Sequence, residues 1–344
     1  MSHPNRPSIF ETLLAVQPLT DGGPDVFVDH NRLDHGETRP KSRDGRVFGG
    51  TTLGQSLNAA QQTIGPEFVA HCMHCTFVSA RRAIAATEYH VERVKDGRRF
   101  CIRQVRAVQG RRTVFLALVN FLAGLTGSLQ YAPCFPRDVP VLPAEFDDND
   151  DNSSSESSAG HTSPSLHHSV GIRSLPDHCS SSSSSDDTPA RIHQWMRARH
   201  PIADAGRHNA THLAALTCMS DTYMLAVAPH SHGIWDFASP PLSEIYDGRH
   251  RLALASATRH QPIPRPPLQF VPSETIHAVG NGQQRRRQVT SIASLDHQIH
   301  SAWASGGRAL MYHTIWGVDG TLVASCMQQG LVDVEDLPDR DSRL

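Results

Sequence analysis

The amino-acid sequence predicts an α+β protein made of one unit used twice, and three observations carry that expectation. A glycine pair near residue 50 leads into a stretch with helical apolar spacing. Strand-like runs separated by glycine turns follow it. The same order, helix and then meander, returns after residue 190.

In the first half, Gly49 and Gly50 precede residues 51–64, where Leu53, Leu57, Ala60 and Ile64 recur at the spacing of one helix face. A glycine pair there lets the backbone turn closely and presents free amide groups at a helix N-terminus. Residues 72–78, 87–94, 100–108 and 114–122 then read as strands, with Asp96-Gly97 and Gln109-Gly110 as hairpin turns. In the second half, residues 208–228 place Leu213, Leu216, Met224 and Val227 at helical spacing, and 209–211 offer a capping start. Strands are expected over 289–299, 309–317 and 321–334, with Asp319-Gly320 as a tight turn.

Two stretches depart from this rhythm. Residues 147–189 open on DDNDDN and end in a serine run followed by Asp186-Asp187. So polar a segment offers too little apolar area to offset its chain entropy, so a disordered linker is expected there. The domain expectation is therefore a first unit at 1–146, a linker at 147–189 and a second unit at 190–344. Within the second unit, residues 237–288 mix Pro262, Pro264, Pro266 and Pro267 with Arg285-Arg286-Arg287. Those prolines exclude a long helix or an interior strand over their own positions.

With 344 residues the chain is long enough for two cores. A net charge of -2, from 32 basic and 34 acidic residues, supplies no overall field toward nucleic acid or an anionic membrane. No run reaches the roughly 20 apolar residues of a membrane span, and residues 1–7 lack the apolar core of a secretory signal. Seven cysteines, an odd number unevenly spread, fit reduced thiols inside the cell better than a disulfide framework. The chain ends in Ser342-Arg343-Leu344, a one-residue variant of the Ser-Lys-Leu address, so a peroxisomal import receptor is an expected partner. Cytoplasmic residence is the alternative.

Six blocks resemble the acyl-CoA thioesterase II family in order: RVFGGTTLGQSLNAA at 46–60, VKDGRRFCIRQV at 94–105, MSDTYML at 219–225, IASLDH at 292–297, ASGGRA at 304–309 and DGTLVASCMQQG at 319–330. The resemblance spans roughly residues 45–125 and 191–335. It implies a double hotdog, each half an antiparallel sheet wrapped around a long helix, that hydrolyses acyl-CoA without metal or redox cofactor. It also implies an active site in the second half, where Asp221, Ser294 and Gln328 match the residues that hold a water in such enzymes. The chemistry is coherent: a carboxylate takes a proton from water, two hydrogen-bonding side chains orient it, and the thioester carbonyl is electrophilic enough to be attacked directly. No Gly-x-Ser-x-Gly elbow is present. Taken singly, Asp221 reads as a capping residue, Ser294 as a strand serine and Gln328 as an exposed strand position; the three matches together favour the site.

Other candidates stand apart from it. Cys72-Met-His-Cys75 has metal-like letters but no second pair at usable spacing, and a structural role is expected. Arg81-Arg82 and Arg111-Arg112 read either as solvated turn charges or as partners for the CoA phosphates. The 22 histidines are scattered and imply no site.

The second half also departs from the family pattern. After LDHQIH at 295–300 the resemblance calls for another strand before the glycine turn, yet Ser301-Ala-Trp-Ala304 follows at once. One interior strand is therefore expected to be missing, which would leave backbone groups for another chain to cover through self-association. Either the second half is remodelled or the sequence joins the wrong coding segments. Loss of that strand supports a second function class, a catalytically degenerate hotdog protein that binds acyl-CoA or a partner without turnover.

Overall fold

A computed structural model of the chain describes residues 9–29, 47–124, 132–135, 166–168, 191–198, 202, 210–222, 224–225, 227–228, 273–278 and 295–331. In the first half, α1 (Ile9–Leu13), β1 (Val16–Pro18) and β2 (Val26–Asp29) precede the long helix α2 (Gly49–Gln61). After it run β3 (Phe68–Phe77), β4 (Glu88–Asp96), β5 (Phe100–Gln109) and β6 (Arg112–Ala123). The second half contributes β7 (Leu166–His168), β8 (Arg191–Ala198), α3 (Ala210–Ser220), β9 (Ser273–Ala278), β10 (Leu295–Ser305), β11 (Arg308–Gly317) and β12 (Leu322–Leu331).

The twelve strands among the described residues belong to one antiparallel sheet, in the order β1-β2-β4-β5-β6-β3-β9-β12-β11-β10-β8-β7. The second six mirror the first: β9 stands where β3 does, β12 where β6 does, and outward to β7 opposite β1. The halves join where β3 pairs with β9, from Cys72↔His277 to Thr76↔Ser273. Strand alternation produces the layering. On β5, Cys101, Arg103, Val105 and Ala107 are buried, while the residues between them are partly or fully exposed.

Two clusters of buried side chains join the strands to the helices. One gathers Leu53, Leu57, Phe115, Val119 and Phe121 around α2; the other gathers Met219, Met224, Ile299, Met311 and Ile315 around α3. They interlock, because Leu213 of α3 belongs to the first cluster, and Phe10 of α1 and Leu14 just after it belong to the second. The two long helices lie antiparallel at closer than usual range. A Cβ at Gly50 would collide with the Cys218 carbonyl, and one at Gly54 would come within 2.8 Å of the Ala214 carbonyl. Glycine one helical turn apart on α2 is what lets the backbones touch. At the far end Gln61 Nε2 donates to the Ala210 carbonyl at 3.2 Å.

Four expectations need correcting. No interior strand is missing: the Pro-rich stretch supplies β9, which begins just after Pro272 and lies between β3 and β12. The strand expected to end at 299 is longer: β10 runs on through Ser305, with a bulge between Ser301 and Trp303. α3 is shorter than 208–228, because the chain leaves the helix after Ser220 in a turn closed by the Thr222 amide on the Met219 carbonyl. Arg81 is neither a solvated charge nor a surface ligand. It is buried and paired with Asp29, and donates to Gln55 Oε1 at 2.6 Å.

Within residues 147–189 the structure describes β7, paired with β8. The tail at 342–344 lies outside the described residues. Among the described residues no helix is long and apolar enough to cross a membrane. The described cysteines form no disulfide with one another.

Candidate active site

The site forms where the start of α2 meets the end of α3. Phe48 caps α2 in an extended conformation without a side-chain bond, so the amides of the first turn are left for other acceptors. Asp221, the first residue past α3, takes that place: its carboxylate accepts the Gly50 amide. Gly49 makes the approach possible, because a Cβ there would lie 2.5 Å from Asp221 Oδ2 and 3.1 Å from the Phe77 ring. The positive end of α2 therefore faces the carboxylate.

Gln328 comes from β12, where it pairs with Met311 of β11 and Glu274 of β9. Its side chain is buried, with Nε2 donating to Asp221 Oδ1 at 3.4 Å and Oε1 without a partner among the described residues. Burial pushes the Asp221 carboxyl up from 3.8 to about 7, against the opposing pull of Gln328 and the Gly50 amide. A carboxyl so placed exchanges a proton near neutral pH, as a general base requires.

The structure thus brings together two of the three site residues read from the sequence, from positions far apart in the chain. Ser294 lies outside the described residues; β10 begins at the next residue, Leu295, which pairs with Gly317 and Met196.

The apolar wall of the site was not read from the sequence. Phe77 reaches in from β3, braced against Phe115 at 5.1 Å between ring centroids. Leu225 packs where Gly330 lacks a side chain. Cys218, one turn before Asp221, bonds Thr51 of α2, and burial first and the Asp221 charge second push its thiol up, leaving it protonated. The local signal for this junction was the glycine pair, read as a helix start. That it packs on the second half's helix is a long-range contact with no local pattern.

The metal-like letters at 72–75 resolve by alternation. Cys72 and His74 share one face, Sγ to Nε2 at 3.2 Å, while Met73 and Cys75 turn into the core.

Two helix-wrapped antiparallel units fused along one sheet make this an α+β double-hotdog protein. The acyl-CoA thioesterase N-terminal domain family matches residues 38–122 and the acyl-CoA thioesterase C-terminal domain family residues 138–332. Human acyl-coenzyme A thioesterase 8 is 23% identical over 300 residues, 84% of this chain and 81% of its own length. The yeast peroxisomal acyl-coenzyme A thioester hydrolase 1 is 32% identical over 75 residues, 22% of each chain. In fold, the crystal structure of an acyl-CoA thioesterase II from Mycobacterium marinum covers 95% of this chain and 98% of its own at a TM-score of 0.62 and 22% identity. The chain belongs to the acyl-CoA thioesterase family, and is a thioester hydrolase.

Proposed function

We propose that the chain hydrolyses fatty acyl-CoA to free fatty acid and CoA by direct attack of one water, with Asp221 as the base and Ser294 and Gln328 as the orienting groups. The observation that carries the reading is Asp221 itself, a carboxyl raised to about 7 and held between the start of α2 and Gln328. Water bound to the ionised carboxylate and to Gln328 Oε1 gives up a proton to Asp221 as its oxygen bonds to the thioester carbon. Negative charge moves from the carboxylate to the carbonyl oxygen, and both positions lie near the positive end of α2. Collapse of the tetrahedral intermediate breaks the carbon–sulfur bond, and the proton on Asp221 passes to the departing thiolate. No covalent acyl-enzyme forms.

Phe77 and Phe48, against the glycine pair of α2, and Leu225, against Gly330, bring apolar side chains to the elements that carry the site, which suits an acyl chain. The tail Ser342-Arg343-Leu344 supports peroxisomal delivery, and one relative carries a peroxisomal name. A fluorescent protein fused ahead of the chain should collect in peroxisomes and disperse when the tail is removed. Cytosolic signal from the intact fusion overturns that part of the reading.

Thiol release from a panel of acyl-CoAs tests the activity. Asp221→Asn keeps the shape but removes the proton acceptor, so turnover should fall by about 10²–10⁴-fold with little change in KM. Unchanged turnover in that variant refutes the base. A wild-type chain that binds acyl-CoA without cleaving it would instead show a degenerate binding protein.

A further inference from the structure

Behind Asp221 lies a buried pair of histidines that the water mechanism does not use. His313, on β11, is 1% exposed, and His297, on β10, is fully buried. His313 Nδ1 lies 3.0 Å from the carbonyl oxygen of Ser220, and His313 Nε2 lies 2.8 Å from His297 Nδ1. The rings stand 4.8 Å apart at 46°.

The carbonyl fixes the proton positions. A carbonyl oxygen only accepts, so His313 carries its hydrogen on Nδ1. Burial pushes His313 down to about 4, so the ring is neutral at ordinary pH and its Nε2 is bare. His297 then donates from Nδ1. A directed chain results: His297 to His313 to the Ser220 carbonyl.

The accepting end of that chain meets the site. Ser220 is the last residue of α3, and its carbonyl is among those a helix end leaves without an intrahelical partner. The peptide that carries this carbonyl also carries the Asp221 amide, so fixing one fixes the start of the other. The other end, His297, is held on β10, which pairs with β11 on one side and β8 on the other. We infer that His313, braced by His297, is a positioning residue for hydrolysis: by holding the Ser220 carbonyl it sets the Asp221 carboxylate against Gln328 and the start of α2.

The inference rests on Asp221 being the base, and the test separates the two. The amide nitrogen of asparagine falls near Nδ1 of histidine, whereas that of glutamine falls near Nε2. In the full chain, His313→Asn therefore retains the donor to Ser220, and His313→Gln retains only a group facing His297. The two replacements are both neutral and polar, so they load the fold similarly, and thermal unfolding of each verifies it. kcat for His313→Asn should stay within a few-fold of wild type, while His313→Gln should lose about 10–100-fold with KM little changed, the scale of a displacement of about 1 Å at a reacting group. Placed in the Asp221→Asn background, His313→Gln should cost little more, because it acts through a base already gone. Equal kcat in the two His313 variants, or a loss that persists undiminished in that background, overturns the positioning role. Full activity in Asp221→Asn alone would overturn the base assignment, and with it this inference. A dead Asp221→Asn beside equal His313 variants removes only the inference.

Discussion

Replacing Asp221 should make the protein more stable while making it inactive. The carboxyl is raised from 3.8 to about 7 mainly by burial, so above neutrality the folded state holds a charge it would rather not ionise. The sign follows from linkage. The folded value lies above the unfolded one, so the proton's stabilising contribution is complete at low pH and is lost as pH rises toward 7. A rise of this size corresponds to about 4 kcal/mol near pH 8, and to well under about 1 kcal/mol near pH 4. Asp221→Asn avoids that loss and can still accept the Gly50 amide and meet Gln328. Thermal unfolding of wild type and variant across this pH range should show the variant ahead by several degrees near pH 8, at about 2 °C or somewhat more per kcal/mol. The gap should close toward pH 4. A variant no more stable than wild type near pH 8, or a gap independent of pH, refutes the placement of a strained carboxylate at the helix junction.

The same carboxyl sets the pH–rate profile: kcat/KM should climb as Asp221 ionises and reach half its plateau near pH 7, and a profile already flat below pH 5 would contradict this. Gly50→Ala forces a methyl onto the Cys218 carbonyl, so despite the better helix propensity of alanine, urea unfolding should show a net loss of about 1–3 kcal/mol, and turnover should fall with it. A stabilised Gly50→Ala would mean that the helices are not in backbone contact. Arg81→Leu strands Asp29 in the core with the Thr87 amide as its carboxylate's remaining donor among the described residues, and should cost about 3–5 kcal/mol in the same assay; a loss below about 1 kcal/mol would place Arg81 outside the core.

How far the sequence carries differs between the halves. β4, β5 and β6 are joined by hairpins at Asp96-Gly97 and Gln109-Gly110, and β5 pairs with β6 from Phe100↔Leu122 to Gln109↔Arg112 with a bulge between Ala107 and Val108. β9 gives no such signal. Six residues next to Pro272, amid a run of prolines and arginines, owe their strand to β3 and β12 rather than to their own pattern. That is also why β10 looked like a strand with its successor missing: the vacancy is filled from earlier in the chain. At the site, Asp221 and Gln328 were legible through family blocks, but their contact spans 107 residues. The His313 bond to Ser220 spans 93 and leaves no trace in spacing, which is why scattered histidines suggested nothing. Arg81 misled because an Arg-Arg pair beside a turn looks solvated, and only the folded chain shows Asp29 and Gln55 waiting for one of the two.

The stretch that reads most like a dispensable insertion is the one the two halves share. β9 has a neighbour from each half, β3 on one side and β12 on the other, so a splice form or homologue that skipped it would lose more than a loop. Two long interior strands would be left with open edges facing each other, each a template for strands of other chains. Such a shortened product should collect as aggregates, even though the described residues that touch Asp221 lie outside the deleted segment. Length variation in this protein is thus constrained by solubility before it is constrained by catalysis.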